Sequence, residues 1–187
     1  MITTYPSESA LLKFSGFLYW NATNLSAEAT WGELLGFTED GIEIETGYRR
    51  RDEIGEEFGE EPIMSLYLGC SFKIRATLKT WNDATIAQAC PGLATTSAIQ
   101  YPNTILSGTR LDSSTYAKRL FFVGDDGGEE NPVMLAQAAV GSVISPIFFR
   151  LKAVTTLTLE FSCFRKGSGT EIYRSVYVGP KSGAVLI

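Results

Sequence analysis

The chain has 187 residues, of which 44% are apolar and 20% charged, so it can bury a core and is neither disordered nor membrane-spanning in composition. Its net charge of −5 argues against a phosphate-gripping surface, and the absence of any histidine removes imidazole-based triads and zinc sites that use His. The 18 glycines and 12% aromatics favour turns and strands.

In chain order, Met1 to Glu8 carries no basic residue and no apolar stretch, so no secretory signal is expected there. Residues 11–20 read as a first strand, with Leu12, Phe14, Gly16 and Leu18 on one face. Residues 21–35 are mixed, with Ser26 suited to capping a turn and Trp31 to anchoring a core. Gly36 to Gly41 reads as a turn, with Asp40-Gly41 as its reversal signal, and residues 41–51 form a second strand with Ile42 and Ile44 alternating against Glu43 and Glu45.

An acidic run follows, with Asp52, Glu53, Glu56, Glu57, Glu60 and Glu61, two glycines and a closing Pro62. With no positive charge among these residues, it reads as a solvated loop over 52–62. From Ile63 to Lys79 apolar and polar residues then alternate. Met64, Leu66, Leu68, Cys70, Phe72, Ile74, Ala76 and Leu78 fall on one side, and Lys73, Arg75 and Lys79 are on the other. A strand of that length spans about 55 Å, more than a core of this size can cover. The excess is expected to project, bend around the domain, or pair with another copy.

At residues 82–90 the period changes to that of a helix, capped by Asn82 and stopped by Pro91-Gly92. Residues 92–114 are a low-charge stretch that reads as a long connection or an irregular strand. Residues 116–124 are a strand, and Asp125-Asp-Gly-Gly-Glu-Glu130 is a turn. Residues 132–149 are uncharged until Arg150 and fairly apolar, and read as two buried strands with a Gly141-Ser142 break rather than a membrane span. Residues 154–164 alternate strongly, Lys166 to Gly169 turns the chain, and residues 171–178 close it. The expected fold is all-β: a β-sandwich or barrel spanning residues 1–187 as one domain, with one short flanking helix and a long projecting hairpin loop.

Cys70, Cys90 and Cys163 have no metal-ligand spacing. Cys70 and Cys163 fall on apolar strand faces and are expected to be buried thiols.

Charge is concentrated. Residues 39–61 hold ten of the 21 acids against Arg49, Arg50 and Arg51, a net of −7, which leaves +2 for the rest of the chain. If strands 41–51 and 63–79 pair around the acidic loop, Glu43 and Glu45 come near Lys73 and Arg75, each pair contributing roughly 0.2–1 kcal/mol. The block Arg49, Arg50, Arg51 followed by Asp52, Glu53, Glu56, Glu57, Glu60 and Glu61 reads either as a solvated hairpin tip or as an inter-subunit interface that meets complementary charge on a neighbouring copy.

These residues carry a resemblance. The order Asp40-Gly41, a strand, Arg51-Asp52-Glu53-Ile54-Gly55, Pro62, a long alternating strand, then Leu78-Lys79-Thr80-Trp81-Asn82-Asp83 and a short helix is similar to the tail tube proteins of long-tailed bacteriophages. The likeness covers about residues 36–92, and the C-terminal strands fit in general style. It implies a virion structural protein, made in the host cytoplasm and residing in the phage tail. Its subunits would form stacked hexameric rings whose inner strands join into a β-barrel channel. Partners would be further copies and other tail proteins. DNA would pass through without specific binding, and no membrane or cofactor would be involved. An acidic wall repels phosphates, the reverse of a basic groove.

Three other functions fit parts of the sequence. Catalysis would need carboxylate pairs such as Asp125/Asp126 with Glu129/Glu130, which sit on a Gly-rich, solvated-looking turn, so no enzyme is expected. The same turn lacks EF-hand spacing for calcium, so no metal is expected. A β-sandwich binding module could use Tyr48, Tyr67, Tyr101, Tyr116, Tyr173 and Tyr177 as a stacking surface for a carbohydrate or protein. Another ring-forming tail or neck component is a close variant of the tube reading.

Overall fold

A computed structural model of the chain describes residues 2–4, 8–12, 14–54, 62–91, 115–125, 132–144, 156–164 and 176–186. The expected turns at 126–130 and 166–169, the connection at 92–114 and residues 55–61 of the acidic run lie outside the described residues.

The fold is all-β with a single short helix. Among the described residues eleven strands share one sheet: β1 (Ile2–Thr4), β2 (Glu8–Leu12), β3 (Gly16–Trp20), β4 (Glu33–Thr38), β5 (Ile42–Ile54), β6 (Pro62–Leu78), β7 (Thr80–Trp81), β8 (Lys118–Gly124), β9 (Val133–Val143), β10 (Leu157–Cys163) and β11 (Val176–Gly179). All the strand pairs are antiparallel. The order runs β1-β5-β6-β10-β9-β8-β3-β4-β7, with β2 beside β5 and β11 beside β9.

The sheet curls back on itself. Its far strand β4 pairs with β7, the two residues that follow β6 after Lys79. Lys79 donates its backbone N–H to Phe37 O at 2.9 Å, so one chain segment belongs to both ends of the sheet. Gly36 permits the closure, because a Cβ there would run into the Thr80 carbonyl. Lys79 is also tied through its ammonium to Glu39.

The alternation seen in the sequence fills the enclosed space. Ile42 and Ile44 from β5, Ile74, Ala76 and Leu78 from β6, and Leu157, Leu159 and Phe161 from β10 are buried in one cluster. Trp20 and Phe122 join it from β3 and β8. On the β3-β8-β9 side the other face is covered as well, since Tyr19, Phe121, Val123, Val133 and Leu135 form a second cluster beneath Leu25, Trp31 and Leu186. Burial on both faces accounts for the consecutive apolar residues of β8 and β9, which in β9 only the buried Gln137 interrupts before Gly141.

The Thr38–Gly41 turn is set by Gly41 at φ 77°, a conformation that favours glycine, and by the Thr38 hydroxyl donating to Gly41 O at 3.0 Å. The helix α1 (Asp83–Ala89) has Asn82 as its N-cap. Asn82 Oδ1 accepts from the backbone N–H groups of Ala84 at 3.0 Å and Thr85 at 3.3 Å. Its Ile86 and Ala89 enter the main cluster.

Several expectations need correction. The single strand at 11–20 is two strands with different partners: β2 lies on β5, whereas β3 lies between β4 and β8. Gly141-Ser142 does not break a strand but lies within β9. A Cβ at Gly141 would fall 2.8 Å from Cys90 Sγ, so the glycine serves close approach of the segment after α1. Cys70 is exposed rather than buried, because β6 enters the core only from Phe72 onward, and Cys163, also expected to be buried, is partly buried at the edge of the main cluster. Strands β1, β4 and β7 are not visible in the periodicity, and the turn expected over 36–41 is shorter, because Gly36 to Thr38 are held in β4 by pairing with β3 and β7. Asp52 and Glu53 extend β5 instead of beginning a loop.

A projecting charged ribbon as candidate assembly interface

β5 and β6 pair continuously from Ile42↔Ala76 to Ile54↔Pro62. β10 accompanies β6 only along residues 72–78, from Cys163↔Phe72 to Leu157↔Leu78. Beyond Phe72, β6 continues through residues 62–71 with β5 on one edge and, among the described residues, no strand on the other. At the usual rise per residue that edge is about 34 Å long. The opposite side of the ribbon is covered by β1 along Arg49, Arg50 and Arg51 and by β2 along residues 42–46. The excess length therefore leaves the domain as a ribbon.

The structure places part of the charged block on this ribbon. Arg49, Arg50 and Arg51 occupy the middle strand, opposite Gly69, Tyr67 and Leu66 on β6 and Thr4, Thr3 and Ile2 on β1. Asp52 and Glu53 follow opposite Ser65 and Met64. Glu56, Glu57, Glu60 and Glu61 lie outside the described residues. Arg51 is exposed.

The register also contains a feature that the sequence pattern hides. Arg49 pairs with Gly69 but Arg50 pairs with Tyr67, so β6 carries an extra residue. Such a bulge shifts the alternation by one and increases the local twist. Before it, Tyr48 and Cys70 face one another as a continuation of the core-side pairs. After it, Leu66 pairs with Arg51 and no longer shares the face of Cys70. Tyr48 at 44% and Leu66 at 43% exposure leave two large apolar side chains in water on the ribbon.

At the root of the ribbon the polar face carries an ion network. The register sets Glu43 opposite Arg75 and Glu45 opposite Lys73, as the charge pattern implies. The contacts are made differently. Arg75 reaches Glu45 on the diagonal at 3.2 Å and Glu160 on β10 at 2.9 Å, and Lys73 reaches Glu160 at 3.1 Å. Burial alone would raise the Glu160 pKa, but hydrogen bonds from Arg75 and Lys73, together with their charges, hold it below the usual carboxylate value. Glu160 was missed as a partner of these cations. The signal was available, since it is the one charged residue in the alternating segment Thr156, Thr158, Glu160, Ser162.

Elsewhere the chemistry is sparse. Among the described residues no cluster of three or more His, Cys, Asp or Glu could hold a metal ion. Asp125 accepts a hydrogen bond from the Ser15 hydroxyl at 2.9 Å in an exposed position. The described tyrosines of the candidate stacking surface do not form one patch, although Tyr67, opposite Arg50, shares the ribbon with Tyr48. Tyr48 is on the ribbon, Tyr116 packs with Ala117 and Ala138, and Tyr177 packs on the second cluster with its hydroxyl donating to Pro180 O at 2.8 Å. No helix is long and apolar enough to cross a membrane among the described residues.

Against known proteins, the chain matches no family model and no curated protein.

Proposed function

We propose that this chain is a self-assembling structural subunit of the phage tail-tube type, which forms stacked rings around a channel. The observation that carries the reading is the β5–β6 ribbon, which runs past its own core with an unpaired β6 edge among the described residues. An edge of about ten residues with no strand partner among the described residues is a template for another strand.

The charge distribution supports the same reading. Arg49–Arg51 beside a dense acidic run suits a contact between different surfaces of neighbouring copies, which closes into rings or continues as tubes. The Lys73–Glu160–Arg75–Glu45 network leaves the root of the ribbon without unpaired cations. A wall neutralised in this way gives phosphates little to hold, as a DNA conduit requires. The subunit then belongs to the virion, with further copies and other tail proteins as partners and no catalytic role.

Sedimentation velocity over a hundredfold range of concentration tests the proposal. Growth from monomer to large discrete species is expected. A single species of monomer mass throughout would contradict it and favour a β-sandwich binding module.

A further inference from the structure

We propose that residues 176–186 form a strap that opens as one unit from an otherwise intact sheet, with Gln137 as its latch. The inference concerns a single copy and does not depend on the assembly reading.

The strap is organised by its own residues. β11 runs into a tight turn at Lys181–Gly183, where Gly183 and Ala184 donate their backbone N–H groups to Pro180 O at 3.0 Å and Lys181 O at 3.1 Å. Tyr177 folds back over this turn, and its hydroxyl donates to Pro180 O at 2.8 Å. Gly183 permits that approach, because a Cβ there would run into the Tyr177 hydroxyl. Strand and turn are thus one piece, built to move together.

Its hold on the rest of the domain is slighter. β11 sets four residues, Val176 to Gly179, against Ala136 to Val133 of β9. Tyr177, Ala184 and Leu186 rest on the second apolar cluster. No residue from 176 to 186 is buried, whereas Phe121, Val133 and Leu135 of that cluster are. The strap therefore covers a core without being enclosed in one. Segments with few buried apolar contacts and a short ladder open at a free energy below that of global unfolding.

Gln137 fastens the far end. It interrupts the apolar residues of β9 and is only 2% exposed. An amide buried so deeply is costly unless it is hydrogen-bonded, and its Nε2 donates to Val185 O at 2.6 Å. The Val185 side chain itself stands 65% exposed, so the carbonyl makes the attachment. Lys181 Nζ adds a contact 4.5 Å from the centre of the Trp31 ring. With the ladder at one end, the amide at the other and a self-contained turn between them, release of one end frees the whole. Opening bares the β9 edge at 133–136, where another strand can add.

Hydrogen exchange of the full chain across a denaturant series, read by mass spectrometry, tests this. In the parent, amides of 176–179 are expected to exchange at least tenfold faster than those of β8 and β10, with a weaker dependence on denaturant. Two variants separate opening of the strap from global unfolding. Gln137→Met keeps the length of the side chain but removes the donor, and should speed exchange of the strap about fivefold. Asn82→Ala weakens the closed and opened forms alike, because helix α1 stays folded in both. It should leave strap exchange unchanged while speeding that of β8 and β10. Strap amides in the parent that share the slow rate and denaturant dependence of β8 and β10 would overturn the proposal. So would strap exchange accelerated by Asn82→Ala as much as that of β8, and a strap that exchanges at the parental rate in Gln137→Met would remove the latch.

Discussion

Arg75 and Glu160, 85 residues apart in the chain, meet at 2.9 Å across the β6–β10 pair, and Glu160 holds Lys73 on its other oxygen. One carboxylate thus ties together two cations of β6, and Arg75 carries the link on to Glu45 of β5. Three strands are joined on their polar face where the ribbon leaves the domain. With its side chain only 15% exposed, Glu160 is the best shielded member of the network.

That position makes the network sensitive to acid. A carboxylate held below its ordinary pKa contributes stability that is complete above about pH 4.3 and is lost as pH falls through the lower folded value. Glu160→Gln is therefore expected to cost about 1 kcal/mol at pH 7, a fall in Tm of about 2–4 °C. The difference from the parent should shrink as the pH drops below about 4. An equal gap in Tm at pH 7 and pH 3 would refute this role.

The thiols should separate by reactivity. Burial pushes the Cys90 and Cys163 thiols up to about 12, so both are expected to react slowly at pH 8. Cys70 is exposed on the ribbon. A thiol reagent applied to the native monomer should titrate one group per chain, and none in Cys70→Ser. Rapid labelling of two or more thiols in the folded protein would be inconsistent with the packing described.

The helix start is a local test of the fold. Asn82→Ala removes the acceptor for the N–H groups of Ala84 and Thr85 and is expected to cost about 1 kcal/mol, whereas Asn82→Asp should cost much less. A melting scan that cannot distinguish Asn82→Ala from the parent would show that the cap is satisfied in another way.

The arginines of the ribbon test assembly. Replacing Arg49, Arg50 and Arg51 by Glu should preserve the circular-dichroism spectrum and block assembly. Polymer of unchanged length in that variant would remove the charged block from the interface.

What could be read from the sequence followed from periodicity. The alternation of β6, the β5–β6 pairing with Glu43 and Glu45 opposite Arg75 and Lys73, the Gly41 turn and the Asn82 cap were legible because each depends on residues close in sequence. The bulge between Gly69 and Tyr67 was not, since an alternating pattern can be written through an extra residue, and only the partner strand reveals the slip. Exposure of Cys70 was hidden for a related reason, because an apolar stripe does not say where the core beneath it stops. β4 and β7 are short and held by the closure of the sheet, so their signal lies in each other. Of the candidate interface, Arg49–Arg51 are legible as strand residues, whereas Asp52 and Glu53 read as loop, since a run of acids carries no period that would mark them as strand.

The most direct test of the central claim is negative-stain electron microscopy of the purified protein at low and high concentration. Rings or hollow tubes of uniform diameter, becoming more abundant with concentration, are predicted. Fields of small, separate particles at every concentration would contradict the account.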